Sequence, residues 1–215
     1  MPDLKPLGRI VQHDPHSLNF AAPTAPTLKS VTHRRLCPPF DQGQLGSCTG
    51  NAMAGLLMTT PTHPRGVKLT EVDAVKLYSY ATTVDDAPGS YPPDDTGSSG
   101  LAVAKAAQHY GYITAYAHAF GLDHVLAALV LAPVIIGVNW YEGFDNPDAN
   151  GWVHISGSVR GGHEFELVGL NVHTKSVTAV NSWGSEWGAG GRFRFSWDVL
   201  GQLLAEQGDA TTVTL

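Results

Sequence analysis

The chain has 215 residues, with 13 Lys plus Arg against 19 Asp plus Glu and a formal net charge of −6 at pH 7. That balance lacks the basic face on which nucleic-acid binding depends. Hydrophobic residues make up 43% and charged ones only 15%, which excludes global disorder and leaves enough apolar mass for a sizeable core.

Residues 1–35 are rich in proline and lack periodicity, which predicts an extended arm laid over a folded body. No apolar core follows their first basic residue, so they do not read as a secretory signal. Ser47 is a candidate N-cap for a helix from Cys48 through Met58, with Ala52, Met53 and Leu56 inward and Pro61 beyond its end. Thr70-Glu71-Val72-Asp73 has capping-box spacing and opens a helix that buries Val72, Val75 and Leu77 or Tyr78. DDAPGSYPPDDTGSSG, residues 85–100, reads as a loop. A helix follows from Ser99 to Tyr110, stopped by Gly111. The stretch Val125–Tyr141 is the most membrane-like, but Pro133 interrupts it and a span needs ~20 continuous apolar residues. It reads as a short helix starting at Asp123, a break at Pro133, and a buried strand.

The second half changes character. PVIIGVNW, HEFELVGLN, SVTAVNSW and GRFRFSW are short, rich in β-branched and aromatic residues, and separated by Gly, Asn and Ser. A helix near 198–206 and a strand near 210–214 close the chain. Helices lead and strands follow, which is an α+β pattern.

The chemistry concentrates in three segments. In Gln42-Gly43-Gln44-Leu45-Gly46-Ser47-Cys48, the cysteine sits at the first turn of a helix, where the helix dipole favours a thiolate. Gly43 and Gly46 let the chain fold back and bring Gln42 near Cys48. A Gln amide and the cysteine N–H can then donate to one oxyanion. Taken alone, Cys48 also fits a small buried hydrophobe at a helix start. GGHEFELVG opens a strand with His163, and NSWGSEWG ends one with Asn181 beside Trp183 and Trp187. A cysteine nucleophile needs a base, and the base needs an orienter for its other nitrogen. An Asn carbonyl can accept that imidazole N–H, and a Trp over the bond would shield it from water.

QGQLGSC, GGHEFELVG and NSWGSEWGAGGRFRF, in this order, resemble the nucleophile, histidine and asparagine segments of the papain-like cysteine peptidases. The similarity runs from about residue 36 to about 200 and is closest in character to bacterial and phage members without a conventional propeptide. The 115 residues between Cys48 and His163 (163 − 48) are fewer than the ~130–150 usual in the family. The resemblance implies a two-lobe fold with the active site between the lobes. The arm would be 1–35 and the peptidase domain 36–215, with a helical lobe over about 36–122 and an antiparallel, barrel-like β-rich lobe over about 123–215. It implies Cys48 as nucleophile, His163 as base and acid, Asn181 as orienter, and Gln42 completing the oxyanion hole. Trp183 would shield the Asn–His contact and Trp187 border the leaving-group side. Gly97 and Ser98 would pair with the substrate backbone by strand addition, and Gly162 would offer its carbonyl from the opposite wall. No cofactor and no metal are implied. The expected partners are peptide or protein substrates, with neither nucleic acid nor membrane.

The departures from the family pattern carry their own expectations. Leu45 replaces the cysteine of the family's local disulfide, which suits a reducing, cytoplasmic setting and leaves association with a virion open. Thr49 replaces an aromatic behind the nucleophile. Cys37 is a spare thiol or the partner of a regulatory bond to Cys48. The 47 residues before Cys48 are too few for a full inhibitory propeptide, so activity is restrained some other way or not at all. The arm is left to occupy the cleft, brace the lobes or tether a viral or bacterial protein. Glu164 stands where the family contributes to its main specificity pocket, near Gly161 and Gly137. It either selects Lys or Arg two residues before the scissile bond, or points to solvent or pairs with Arg160.

The function expected is a thiol-dependent peptidase. Two alternatives stand beside it. A Cys-His hydrolase of peptidoglycan peptides is opposed by the NSWG segment and Gln42. A catalytically silent structural or binding module is opposed by the intact Cys, His, Asn and Gln set. His163-Glu164 is not HExxH, because residue 167 is Leu, and the chain has no Walker loop, GxSxG or GxGxxG.

Overall fold

The computed structural model describes residues 4–25 and 27–215. Its frame is an antiparallel sheet carried by β1 (Val31–Thr32), β2 (Ala115–His118), β3 (Val134–Tyr141), β4 (Val159–Asn171), β5 (Ser176–Val180), β6 (Arg192–Ser196) and β7 (Asp209–Thr214). The strands run in the order β2-β7-β3-β4-β5-β6, with β1 added to β4. Five helices complete the chain: α1 (Cys48–Leu57), α2 (Glu71–Ala81), α3 (Gly100–His109), α4 (Gly121–Leu131) and α5 (Trp197–Ala205).

The central strands are buried on both faces, and their alternation divides the interior. Along β3, Ile135 joins the core built from α1, α2 and α3, whereas Val134, Ile136 and Val138 join an aromatic-rich core with Trp140, Phe165 and Phe193. The register pairs Val138 with His163 and Gly137 with Glu164. His163 and Phe165 therefore share the aromatic side, while Glu164 and Glu166 point the other way, toward α1.

α1 is a core helix, with every residue from Cys48 to Leu57 buried. It packs so closely on α2 that a Cβ at Gly50 would lie 2.2 Å from the Ala74 carbonyl oxygen. In α2 the expected capping contact is present, Asp73 accepting from the Thr70 N–H at 2.8 Å. Its inward face differs from the expectation: Ala74, Leu77, Tyr78 and Ala81 are buried, and Val72 is 78% exposed. Small Ala residues, which carry little hydrophobic signal, set the phase of this helix. The break at Pro133 separates α4 from β3 as expected, and no helix among the described residues is long and apolar enough to cross a membrane.

Two elements depart from the sequence reading. β2 lies inside the stretch assigned to the helical lobe, yet it pairs with β7 along its whole length. Residues before 36 are extended only in part. They include a 3-10 turn over Pro15–Asn19, capped by Asp14, and they contribute β1 to the sheet.

Candidate active site

Cys48 opens α1 with Ser47 at the N-cap position, but the Ser47 side chain caps nothing; its hydroxyl accepts from Asn51 Nδ2 at 3.0 Å. The sulfur is fully buried, and the backbone N–H groups of Glu164, Thr49 and Gly8 lie against it. Those donors favour the thiolate, yet burial outweighs them and pushes the thiol up to about 12. The lowering expected from the helix dipole is thus overturned here, because the sulfur is shut off from water.

His163 is also fully buried. Its Nε2 donates to Asn181 Oδ1 at 2.7 Å, and Asn181 Oδ1 also accepts from the Ser182 N–H at 2.8 Å. That contact assigns the proton to Nε2 and leaves Nδ1, which has no partner among the described residues, with a bare lone pair. The Trp183 ring covers the imidazole at a centroid distance of 4.9 Å, and Trp140 meets it edge-on at 4.8 Å. Burial brings His163 down to about 4; the bond to Asn181 opposes that shift. The thiol and the imidazole are therefore both neutral in this state. The Glu164 N–H at the sulfur belongs to the residue following His163, so α1 and β4 bring the two groups to one place.

Gln42 is aimed by a residue the sequence did not flag. Ser182 Oγ donates to Gln42 Oε1 at 2.6 Å, which turns the amide NH2 toward the nucleophile loop, where it donates to the Leu45 carbonyl at 2.8 Å. A second unflagged group ties that loop to the cleft edge. Asp95 accepts from the Gly46 N–H at 2.9 Å and from the Tyr78 hydroxyl, which itself accepts from the Gly97 N–H at 3.0 Å. Asp95 lies two residues before Gly97 in the predicted loop. Only the fold shows that it reaches back to Gly46.

The residues expected to hold a substrate hold the chain's own N-terminal segment. Gly8 and Arg9 donate their N–H groups to the Gly162 carbonyl at 3.2 and 3.0 Å. Across from them, the Ser98 N–H donates to the Gly8 carbonyl and the Ile10 N–H to the Ser98 carbonyl, both at 2.8 Å, in a parallel pairing of Arg9 with Ser98. Gly97 holds φ at +73°, and a Cβ there would lie 2.3 Å from the Gly8 oxygen. Farther along, Arg160 Nη2 donates to the Lys5 carbonyl at 3.0 Å and Gln42 Nε2 reaches the Pro6 carbonyl at 3.4 Å. Of the three roles left open for the arm, occupying the cleft is the one residues 5–10 take, crossing as a single extended strand. Gly8 is needed at the crossing: a Cβ on it would sit 1.9 Å from the Gly46 oxygen.

Glu164 neither points to solvent nor pairs with Arg160. It is fully buried, and Arg160 pairs with Asp145 instead. The Glu164 carboxylate lies beside the Arg9 guanidinium, which bonds to Asp209, a residue with no signal in the sequence beyond its place before the last strand. Trp187 is half-buried. It stands edge-on to Trp183 at 5.0 Å and donates from Nε1 to the Asp145 carbonyl at 3.0 Å. Cys37 and Cys48 are both free.

No protein-family model matches the chain. Cathepsin B-like cysteine proteinase 6 of Caenorhabditis elegans is 38% identical over 64 residues, which is 29% of this chain and 17% of that protein. The chain thus spans well under two thirds of that relative's length. Xylellain, a cysteine protease from Xylella fastidiosa, superposes with a TM-score of 0.74 at 18% identity, covering 98% of this chain and 97% of xylellain. The digestive procathepsin L2 proteinase of Tenebrio molitor larval midgut gives 0.65 at 17% identity over 98% of this chain and 78% of its own. The chain has the fold of these cysteine proteases and, over about a third of its length or less, is similar in sequence to cathepsin B-like cysteine proteinases.

Proposed function

We propose that the protein is a cysteine peptidase that works through a Cys48 thioester and is held at rest by residues 5–10 of its own chain. The observation that carries this reading is the His163–Asn181 bond under Trp183, which leaves a bare imidazole nitrogen on the strand that meets the helix-borne thiol.

In the working state Nδ1 of His163 takes the Cys48 proton and the sulfur attacks a peptide carbonyl carbon. The oxyanion is met by the Cys48 N–H and Gln42 Nε2. The imidazolium then protonates the leaving amine as the C–N bond breaks. Water, deprotonated by the same imidazole, attacks the thioester, releasing a carboxylate and returning the thiol. The resting segment crosses the cleft with its Gly8 and Arg9 N–H groups donated to the Gly162 carbonyl. Lifting the segment would readmit water and move the Cys48 and His163 pair back toward their ordinary titration range.

A silent binding module is the second reading, and the buried neutral thiol speaks for it. The two are separated by Gly8→Val, which dislodges the segment without touching the four site residues. A peptidase then cleaves a mixed fluorogenic peptide library, alkylates at Cys48 in preference to Cys37, and loses turnover on Cys48→Ser. Absence of turnover in Gly8→Val, with Cys48 no more reactive than Cys37, would leave the module.

A further inference from the structure

We infer that a small cavity behind Asn181 binds one water molecule, and that Asn51, acting through that water, is a positioning residue that fixes the Asn181 amide and the tautomer of His163. The consequence for turnover rests on the peptidase reading; the water site does not.

The cavity lies between α1, β4 and the end of β5. Its walls include Arg35, Phe40, Asn51, Glu166 and Asn181, and about 10 Å³ of it is open to the centre of a water molecule. That is room for a single water. Four polar atoms on these walls are buried without a hydrogen-bond partner among the described residues: Arg35 Nε, Asn51 Oδ1, Glu166 Oε1 and Asn181 Nδ2. All four side chains are almost fully buried.

The other bonds of these groups fix which end of each is left over. Asn51 Nδ2 donates to the Ser47 carbonyl at 2.9 Å and to Ser47 Oγ at 3.0 Å, which leaves Oδ1. Asn181 Oδ1 accepts from His163 and from the Ser182 N–H, which leaves Nδ2. Arg35 Nη1 donates to Glu166 Oε2, which leaves Nε on one and Oε1 on the other. The Thr59 hydroxyl beside Glu166 gives its proton to the Gly55 carbonyl at 3.0 Å, so it does not serve Oε1.

Two donors and two acceptors match a water with two protons and two lone pairs. The match selects an orientation. Both water protons go to Asn51 Oδ1 and Glu166 Oε1, and Arg35 Nε takes one lone pair. The remaining lone pair receives an N–H and repels an oxygen. Asn181 must therefore turn its nitrogen to the water and its oxygen to His163. That keeps the imidazole proton on Nε2 and the Nδ1 lone pair open to the Cys48 proton. Without Asn51 Oδ1 the water has a proton to spare and can serve either end of the Asn181 amide.

NMR on the full resting chain tests this without any turnover. A long-lived water is expected to show an NOE to the Asn181 side-chain amide protons, and the imidazole nitrogen shifts are expected to show His163 wholly in the Nε2–H form. In Asn51→Leu the Nδ1–H form is expected to appear beside it; Asn51→Val serves the same comparison if the leucine variant does not fold. Ser47→Ala loosens Asn51 from the start of α1 but keeps Oδ1, and is expected to leave the tautomer unchanged. A purely structural role for Asn51 would move both variants alike. In the Gly8→Val background, Asn51→Leu is expected to lower kcat roughly tenfold with KM nearly unchanged, the scale of leaving one buried donor unpaired. A dry cavity in the wild type, a tautomer that answers both substitutions equally or neither, or an unchanged kcat overturns the inference. The expected tautomer change with no turnover of any peptide upholds the water site and removes the peptidase reading instead.

Discussion

The residues before the nucleophile loop fall into two stretches that relate to the body in opposite ways. Residues 5–10 touch it through backbone hydrogen bonds to the cleft walls and one buried guanidinium. Residues 20–25 and 27–35 are built into it. Ala22 is buried in the aromatic-rich core, its N–H donates to the His118 carbonyl at 2.8 Å, and the His118 N–H returns a bond to Phe20. β1 lies on β4, and the Arg35 guanidinium pairs with Glu166 where both side chains are almost fully buried. The first stretch covers the proposed site without supplying any of its side chains, whereas the second supplies strand, core and counter-ion. A segment can leave only if what it abandons can be filled by water or by another ligand. That holds for the cleft and fails for the Glu166 carboxylate.

The largest expected effect sharpens this contrast from the structural side. Arg35→Ala strands Glu166 in the core, and urea denaturation should show a loss of about 3–5 kcal/mol, the usual cost of orphaning a buried charge. Gly8→Val should do the reverse. Iodoacetamide labelling of Cys48 should quicken by roughly a hundredfold, about 2.7 kcal/mol on the closed state, with a loss in urea denaturation no larger than that. If Gly8→Val unfolds the protein as Arg35→Ala does, the two stretches are one unit and the contrast is broken.

A third effect is read by pH. Because the folded-state value for His163 is depressed to about 4, the unfolded chain binds more protons between that value and the ordinary 6.5. Stability is therefore lost as pH falls through this window, by about 2 kcal/mol at pH 5. Glu164 is raised by burial first and by Asp209 second, and it works in the opposite sense as its protonation relieves its burial cost. The difference between wild type and His163→Asn isolates the imidazole, and that difference should shrink in the Gly8→Val background, where the ring regains water. The smallest effect is at Ser182. Its replacement by Ala removes the bond that aims Gln42 and should lower kcat in Gly8→Val by about fivefold, the worth of one hydrogen bond of ~1 kcal/mol, with KM nearly unchanged.

The legible parts were those whose chemistry is local. Cys48 behind two glycines, His163 opening a strand and Asn181 beside Trp183 each carry a short segment, and the structure brings His163 and Asn181 into contact and sets Cys48 against the backbone of the next residue. The strands of the second half were legible because β-branched and aromatic residues crowd them. What escaped depends on distant parts of the chain meeting. Asp209 and Arg9 are 200 residues apart and form an ion pair together. Ser182 matters only because Gln42 folds onto it, and Asp95 only because Gly46 does. β2 escaped because AYAH is too short to show alternation, and its strand state comes from β7. The arm's path was hidden for a related reason: an extended strand that borrows its hydrogen bonds from a cleft has no periodicity of its own.

The bridge between Ala21 and His118 fixes the far end of the covering segment. From there to residue 5 a fully stretched chain spans no more than roughly 58 Å. Once displaced, the segment stays on a leash and meets the cleft as if dissolved at a concentration on the order of millimolar. An incoming peptide therefore competes with a permanent rival. The rival would raise the apparent KM of every peptide by the same factor, so proteolysis would half-saturate only at a correspondingly higher substrate concentration.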